Sequence, residues 1–210
     1  MKFKSISLNR QLSQYILTLK ESWRIVLLLC LFICGLIIGS YAIKCNDSLL
    51  YSQLEEILKE SIIKRNSMKF FNTFLDSFIT DAVFLVITFA AGLCAIGIPA
   101  ISIMPLIKGF SVGITGAYIY SAYSVKGVCY CLFVFFPAQI ISSAILIFAC
   151  NESFYMSADL FSTLNNNSLK EKNLVRLYLT RFGLFLLFSA VIALTDAFIY
   201  RVFSSVFAII

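Results

Sequence analysis

Two aspartates are embedded in apolar sequence, Asp81 in FITDAVFL and Asp196 in ALTDAFIY, and Arg201 follows the second. Two carboxylates meeting in a water-poor site can share a proton and activate water, which is the chemistry of an aspartyl protease. Intramembrane enzymes of that class carry a GxGD element, and neither aspartate has those flanking glycines. Serine catalysis fares worse, because the chain contains no histidine to act as base. The seven cysteines form no CxxC pair, and without histidine or clustered thiols a zinc site is not expected. No cofactor-binding pattern is present. What remains is an ionised carboxylate at membrane depth, costing about 2.5–3.5 kcal/mol on insertion scales, so each aspartate calls for a partner or a water path.

The elements that must hold these groups follow from composition. Hydrophobic residues make up 60% of the chain and charged residues 13%, with a mean hydropathy of +0.91. Soluble domains carry about 25% charged residues, so this chain has too few polar residues to cover a core in water. In lipid every backbone polar group needs an internal partner, which leaves helices or a closed barrel. The apolar runs are continuous rather than alternating, and each is long enough to cross about 30 Å of hydrocarbon. The fold class is therefore all-α, a polytopic helical membrane protein with five transmembrane helices. The net charge of +6 is dispersed, with no basic run of the kind that binds nucleic acid.

Residues 1–24 form a polar N-terminal segment, and 25–43 the first span. Ser40 and Ala42 imitate a signal-peptide cleavage site, but the apolar run exceeds an h-region and reads as a span. Gly35 and Gly39 form a GxxxG, a spacing that lets two helix backbones approach closely. Residues 44–76 lie between spans; within them Leu54, Ile57 and Leu58 belong to an apolar helical stripe opposed by Glu55, Lys59 and Glu60. Such a helix can lie on the membrane, pack on the protein's own spans or meet a partner. Further spans follow at 77–98, 105–123, 127–150 and 182–210, with a polar segment at 151–181 that reads as a solvated helix–turn–helix.

Basic residues divide ten to seven in favour of the segments on the N-terminal side, and those flanking the first span weigh most. This predicts the N-terminus inside, the C-terminus outside and 44–76 outside. Cys45 and Cys129 then fall near the outer surface, which leaves a disulfide between them open. In the stretch GIPAISIMPLIKGFSVG, the sequence predicts that Pro99 ends one helix and Pro105 starts the next, with an inner hinge at 99–104. Lys108 is expected to snorkel to the inner face, and Gly109 and Gly113 to let the helix pack tightly on a neighbour.

These residues resemble the stage II sporulation protein M family. The resemblance is carried by Gly35 and Gly39, the GxP turn at Gly97–Pro99, Pro105, the Lys108–Gly109 step with Gly113, and Pro137 in FFPAQIISSAILIFA. Many wider relatives carry a His-Gly after the fourth-span proline and a glutamate further along; here those places read Ala138-Gln139 and Ser142. The resemblance implies a non-enzymatic scaffold in the mother-cell and septal membrane. It would anchor two extracytoplasmic peptidoglycan-degrading partners, stage II sporulation proteins D and P, for septal thinning and engulfment.

Within that reading, Asp81, Asp196 and Arg201 form a polar cluster towards the outer side. It either pairs internally and orients helices or lies beneath the partners' docking surface. Leu54, Ile57 and Leu58 are the outside contact candidates. A transporter-like permease subunit is the alternative; broken helices near the midplane would be its pointer, but Pro99 and Pro105 map to a surface hinge and Pro137 is the only interior breaker. Whether the chain forms a homo-oligomer stays open.

Overall fold

The structure, a computed structural model, describes residues 23–43, 56, 70–94, 96–166 and 172–204. Five helices in it are long and apolar enough to cross a membrane. Helix α1 spans Trp23–Ile43, α2 spans Phe70–Gly92, α3 spans Ile98–Tyr130, α4 spans Phe136–Asn166 and α5 spans Lys172–Ser204. A π-helical turn, Cys131–Phe135, joins α3 to α4. The amphipathic stripe of Leu54, Ile57 and Leu58 lies outside the described residues, as does Cys45; Cys129 is a free thiol.

Large apolar side chains such as Ile37, Ile87, Leu187 and Phe198 point outward, whereas Ser153, Ser157 and Thr88 are buried. This inside-out arrangement is what lipid selects, since hydrocarbon gives no reason to hide leucine but a strong one to pair hydroxyls.

Helices α2, α4 and α5 pack against one another pairwise, and α3 packs on α2 and α4. Helix α1 joins through glycine. A Cβ on Gly35 would strike the Leu106 carbonyl oxygen, and one on Gly39 that of Phe110. Reciprocally, Gly109 leaves room for the Phe32 carbonyl and Gly113 for that of Leu36. The two expected GxxxG patterns are therefore opposite halves of one seam. Numbering rises together along it, so α1 and α3 run parallel, and Ser40 Oγ donates to the Gly113 carbonyl at 3.4 Å.

The connection falls after α2 ends at Gly92 and before α3 begins at Ile98, earlier than the predicted hinge at 99–104. Pro99 is the second residue of α3 and Pro105 lies inside it, fully buried. The first turn of a helix needs no N–H from a proline, so Pro99 suits a start better than an end. At Gly97 a Cβ would run into the Ala91 carbonyl, which fixes glycine in this tight connection.

Later, the chain reverses between the spans Ile98–Ala122 and Gly127–Ser162. Cys131 Sγ comes within 3.9 Å of the Gly116 carbonyl, although a straight helix would separate positions fifteen residues apart by about 22 Å. The segment expected to be a solvated helix–turn–helix instead extends α4 to Asn166 and begins α5 at Lys172, and it buries Ser153, Met156, Ser157 and Tyr178.

Candidate functional site: an acidic cleft at mid-membrane depth

Asp81 is the middle residue of α2, about 16 Å from either end at 1.5 Å per residue. Ser77 precedes it by one turn on the same face. Lys108 lies about 15 Å along α3 from Ile98. Its ammonium donates to Asp81 Oδ1 at 2.7 Å, with the two side chains 5% and 13% exposed, and stands 5.3 Å from the Phe84 ring centre. Lys108 therefore does not snorkel. Because α3 begins at Ile98 rather than at Pro105, the lysine is too deep for its stem to reach the boundary, and a carboxylate faces it.

Asp196 on α5 is buried and accepts a hydrogen bond from Ser77 Oγ at 2.7 Å. The two aspartates thus line one region with different partners: Lys108 engages Asp81, and Ser77 donates to Asp196. Arg201, expected in the same cluster, lies five residues beyond Asp196, about 140° further around the helix, and is exposed.

Between α2, α4 and α5 a cleft of about 130 Å³ is lined by Asp76, Ser77, Thr80, Asp81, Ala138, Gln139, Ser142, Ile192, Ala193 and Asp196. Asp76 is exposed, whereas Asp81, five residues further along α2, is 13% exposed, so the cleft opens at the end of the bundle where α2 begins. Its floor is a second space of about 10 Å³, shared through Asp81 and Ser142 and bounded by Lys108 and Ser189. Deeper still, Leu85, Ile101 and Leu146 close the way. Among the described residues no three acidic or thiol groups converge as a metal site.

Helix α4 reaches this cleft by way of its π-helical turn. Phe136 N–H bonds the Cys131 carbonyl, one residue further back than in an α-helix, and Pro137 has no N–H to give. The extra residue re-aims the next turn, which presents Ala138, Gln139 and Ser142. Ala138, Gln139 and Ser142 are therefore cleft-lining positions.

GFSVG, Gly109–Gly113, matches the GxSxG spelling of a serine nucleophile but has none of its geometry. That motif needs a strand-to-helix elbow, whereas Ser111 is exposed in mid-helix and both glycines seat against α1.

Sequence reasoning missed Ser77, Ser189 and Asp76. A hydroxyl four residues before Asp81 and another seven before Asp196 were the available signals. Also missed was a polar network at the other end of the same helices. There, Ser153 Oγ and Tyr178 Oη lie 2.9 Å apart, and Tyr178 donates to the Phe89 carbonyl at 3.1 Å. Ser153 Oγ approaches the Thr88 carbonyl at 3.1 Å, and Ser157 donates to that of Cys94 at 2.8 Å. Gly92 makes room, since a Cβ there would meet the Tyr178 hydroxyl. Nearby, Arg181 pairs with Glu152 at 2.5 Å, and Arg24 stacks 4.5 Å over the Tyr155 ring.

The sequence profile of the stage II sporulation protein M family matches residues 28–200. Neither a curated protein nor a solved structure matches the chain.

Proposed function

The chain belongs to the stage II sporulation protein M family and is a multi-pass membrane protein of sporulation; on that premise we propose that it acts as a scaffold, anchoring extracytoplasmic wall-cutting enzymes rather than cutting bonds itself. Stage II sporulation proteins D and P are the proposed partners, and the mother-cell face of the septum the proposed location. With the N-terminus inside, the cleft opens on the outer side, towards the peptidoglycan.

The observation that carries this reading is the way the two aspartates are used. Asp81 is held by Lys108 from a neighbouring helix and Asp196 by Ser77 from another. A catalytic dyad would place the two carboxylates against each other. Here each carboxylate ties two helices together, and with the glycine seam they make a platform of fixed shape.

The test is a complementation. In sporulating cells whose own copy is deleted, the wild-type chain is expected to restore a focus of labelled partner D or P at the septum. Replacing Leu54, Ile57 and Leu58 together with Ser is expected to disperse that focus while the chain remains in the membrane. A focus that forms without the chain would contradict the scaffold.

One observation favours the permease alternative: a polar cleft reaching mid-membrane beside a π-helical turn and two prolines, Pro105 and Pro137. Against it stands the blind end at Leu85, Ile101 and Leu146. Solute flux in proteoliposomes holding the chain alone would decide for the permease.

A further inference from the structure

We propose that the acidic cleft is a binding site for one guanidinium or alkylammonium group, delivered by a basic side chain on a partner's membrane segment. The choice of carrier rests on the scaffold reading above; the chemistry of the site does not. Three carboxylates, Asp76, Asp81 and Asp196, line the cleft, and the lysine at its floor is already engaged by Asp81.

A second observation, separate from these charges, lies at the floor of the cleft. Ser189 is 2% exposed, borders the floor, and its hydroxyl has no hydrogen-bond partner. Buried hydroxyls are normally satisfied, and lipid supplies no substitute. The floor has room for one water, which needs about 10–15 Å³ and two or more polar neighbours. Ser189, Lys108 and Asp81 provide them. The wider mouth exceeds the roughly 30 Å³ share of a water and takes a side-chain head.

The acceptors select the head. They do not converge as a metal requires, but are spread over successive turns of α2 and across to α5. A planar group with several N–H donors matches such a spread, and its weak hydration eases entry into a membrane. Lys108 repels a second cation from the floor, so the head stops above it, at the level of Asp76 and Asp196.

The experiment uses the full chain in nanodiscs. Butylguanidinium is the probe and its retention is measured by equilibrium dialysis against empty nanodiscs. Retention above the blank is expected, falling about tenfold or more in Asp196→Asn, the scale of a lost charge-assisted hydrogen bond. Asp76→Asn, at an exposed position that does not threaten the fold, is expected to weaken it in the same direction. Glu152→Gln, at the opposite end, should leave it unchanged. Retention equal to the blank, or unaltered by both cleft substitutions, would overturn the site. Displacement by tetramethylammonium as effective as by guanidinium would do the same, because that ion has no N–H to donate.

A second arm offers a membrane-spanning oligo-leucine peptide with one Arg near its end, and its Gln counterpart. Preference for the Arg peptide, lost in the Asp76→Asn and Asp196→Asn double variant, is expected. Equal capture of both would reject the polypeptide as carrier. No wall-cutting enzyme is present in either arm, so a failure here leaves the scaffold reading standing on its own test.

Discussion

The two ends of the α2–α4–α5 trio solve the same problem in opposite ways. Near Gly92, hydroxyls of Ser153, Ser157 and Tyr178 meet backbone carbonyls or one another, and the removal of one side chain at Gly92 lets the ring slide in. Aromatic packing of Phe89, Tyr178 and Phe182, with ring centres 4.7–5.1 Å apart, covers it. Nearer the start of α2 the polar groups are charged, surround a cleft and leave the Ser189 hydroxyl unanswered. At the Gly92 end the hydroxyls close upon one another or on carbonyls, although Asn151 Oδ1 and Arg24 Nη1 are left without a hydrogen-bond partner there too; at the other end the acidic groups border an open cleft. The difference is between hydroxyls packed shut around Gly92 and acidic groups bordering a cleft.

Breaking this comparison begins with the ion pair. Lys108→Met leaves the Asp81 carboxylate buried without its cation and is expected to cost about 3–5 kcal/mol, read as a shifted unfolding midpoint in mixed micelles. Adding Asp81→Leu should restore most of that loss, because an apolar pair of similar volume is often neutral. If the double variant were no better than the single, Lys108 would be acting through packing alone. At the sealed end, Gly92→Val drives a side chain into the Tyr178 hydroxyl and is expected to cost about 1–3 kcal/mol. Tyr178→Phe keeps the ring but removes its hydrogen bonds, an expected loss of about 0.5–1.5 kcal/mol in the same assay. The smallest effect is expected from Ser189→Ala. Its hydroxyl has no protein partner to lose, so the midpoint should hold within about 0.5 kcal/mol or rise. A Ser189→Ala penalty as large as that of Tyr178→Phe would erase the distinction between the two ends.

The five spans were legible because length and continuous apolarity are properties of each segment alone. The glycine seam was half legible. Spacing marks Gly35, Gly39, Gly109 and Gly113 as backbone-contact positions, but nothing local says that the two patterns face each other. The site was less readable. Placing the start of α3 at Pro105 rather than at Ile98 moved Lys108 about 10 Å towards the boundary, and so turned a buried ion-pair partner into a snorkelling lysine. Proline tolerates the first turn of a helix and also, in a membrane, its interior, so the residue type could not choose. Arg201 was grouped with Asp196 by proximity in sequence, whereas the helix carries it around to another face. The bond from Ser77 to Asp196 spans 119 positions, a distance over which no pattern within one helix has any reach.

The claim that the chain supplies position and not reactivity is tested most directly by its effect on purified peptidoglycan. The tagged chain would be isolated from sporulating cells, once with its associated proteins and once stripped of them by detergent. Stage II sporulation proteins D and P are expected in the first preparation, which should release soluble fragments from the wall material. The stripped chain should release none. Fragment release by the stripped chain, or an active first preparation free of both partners, would contradict the account.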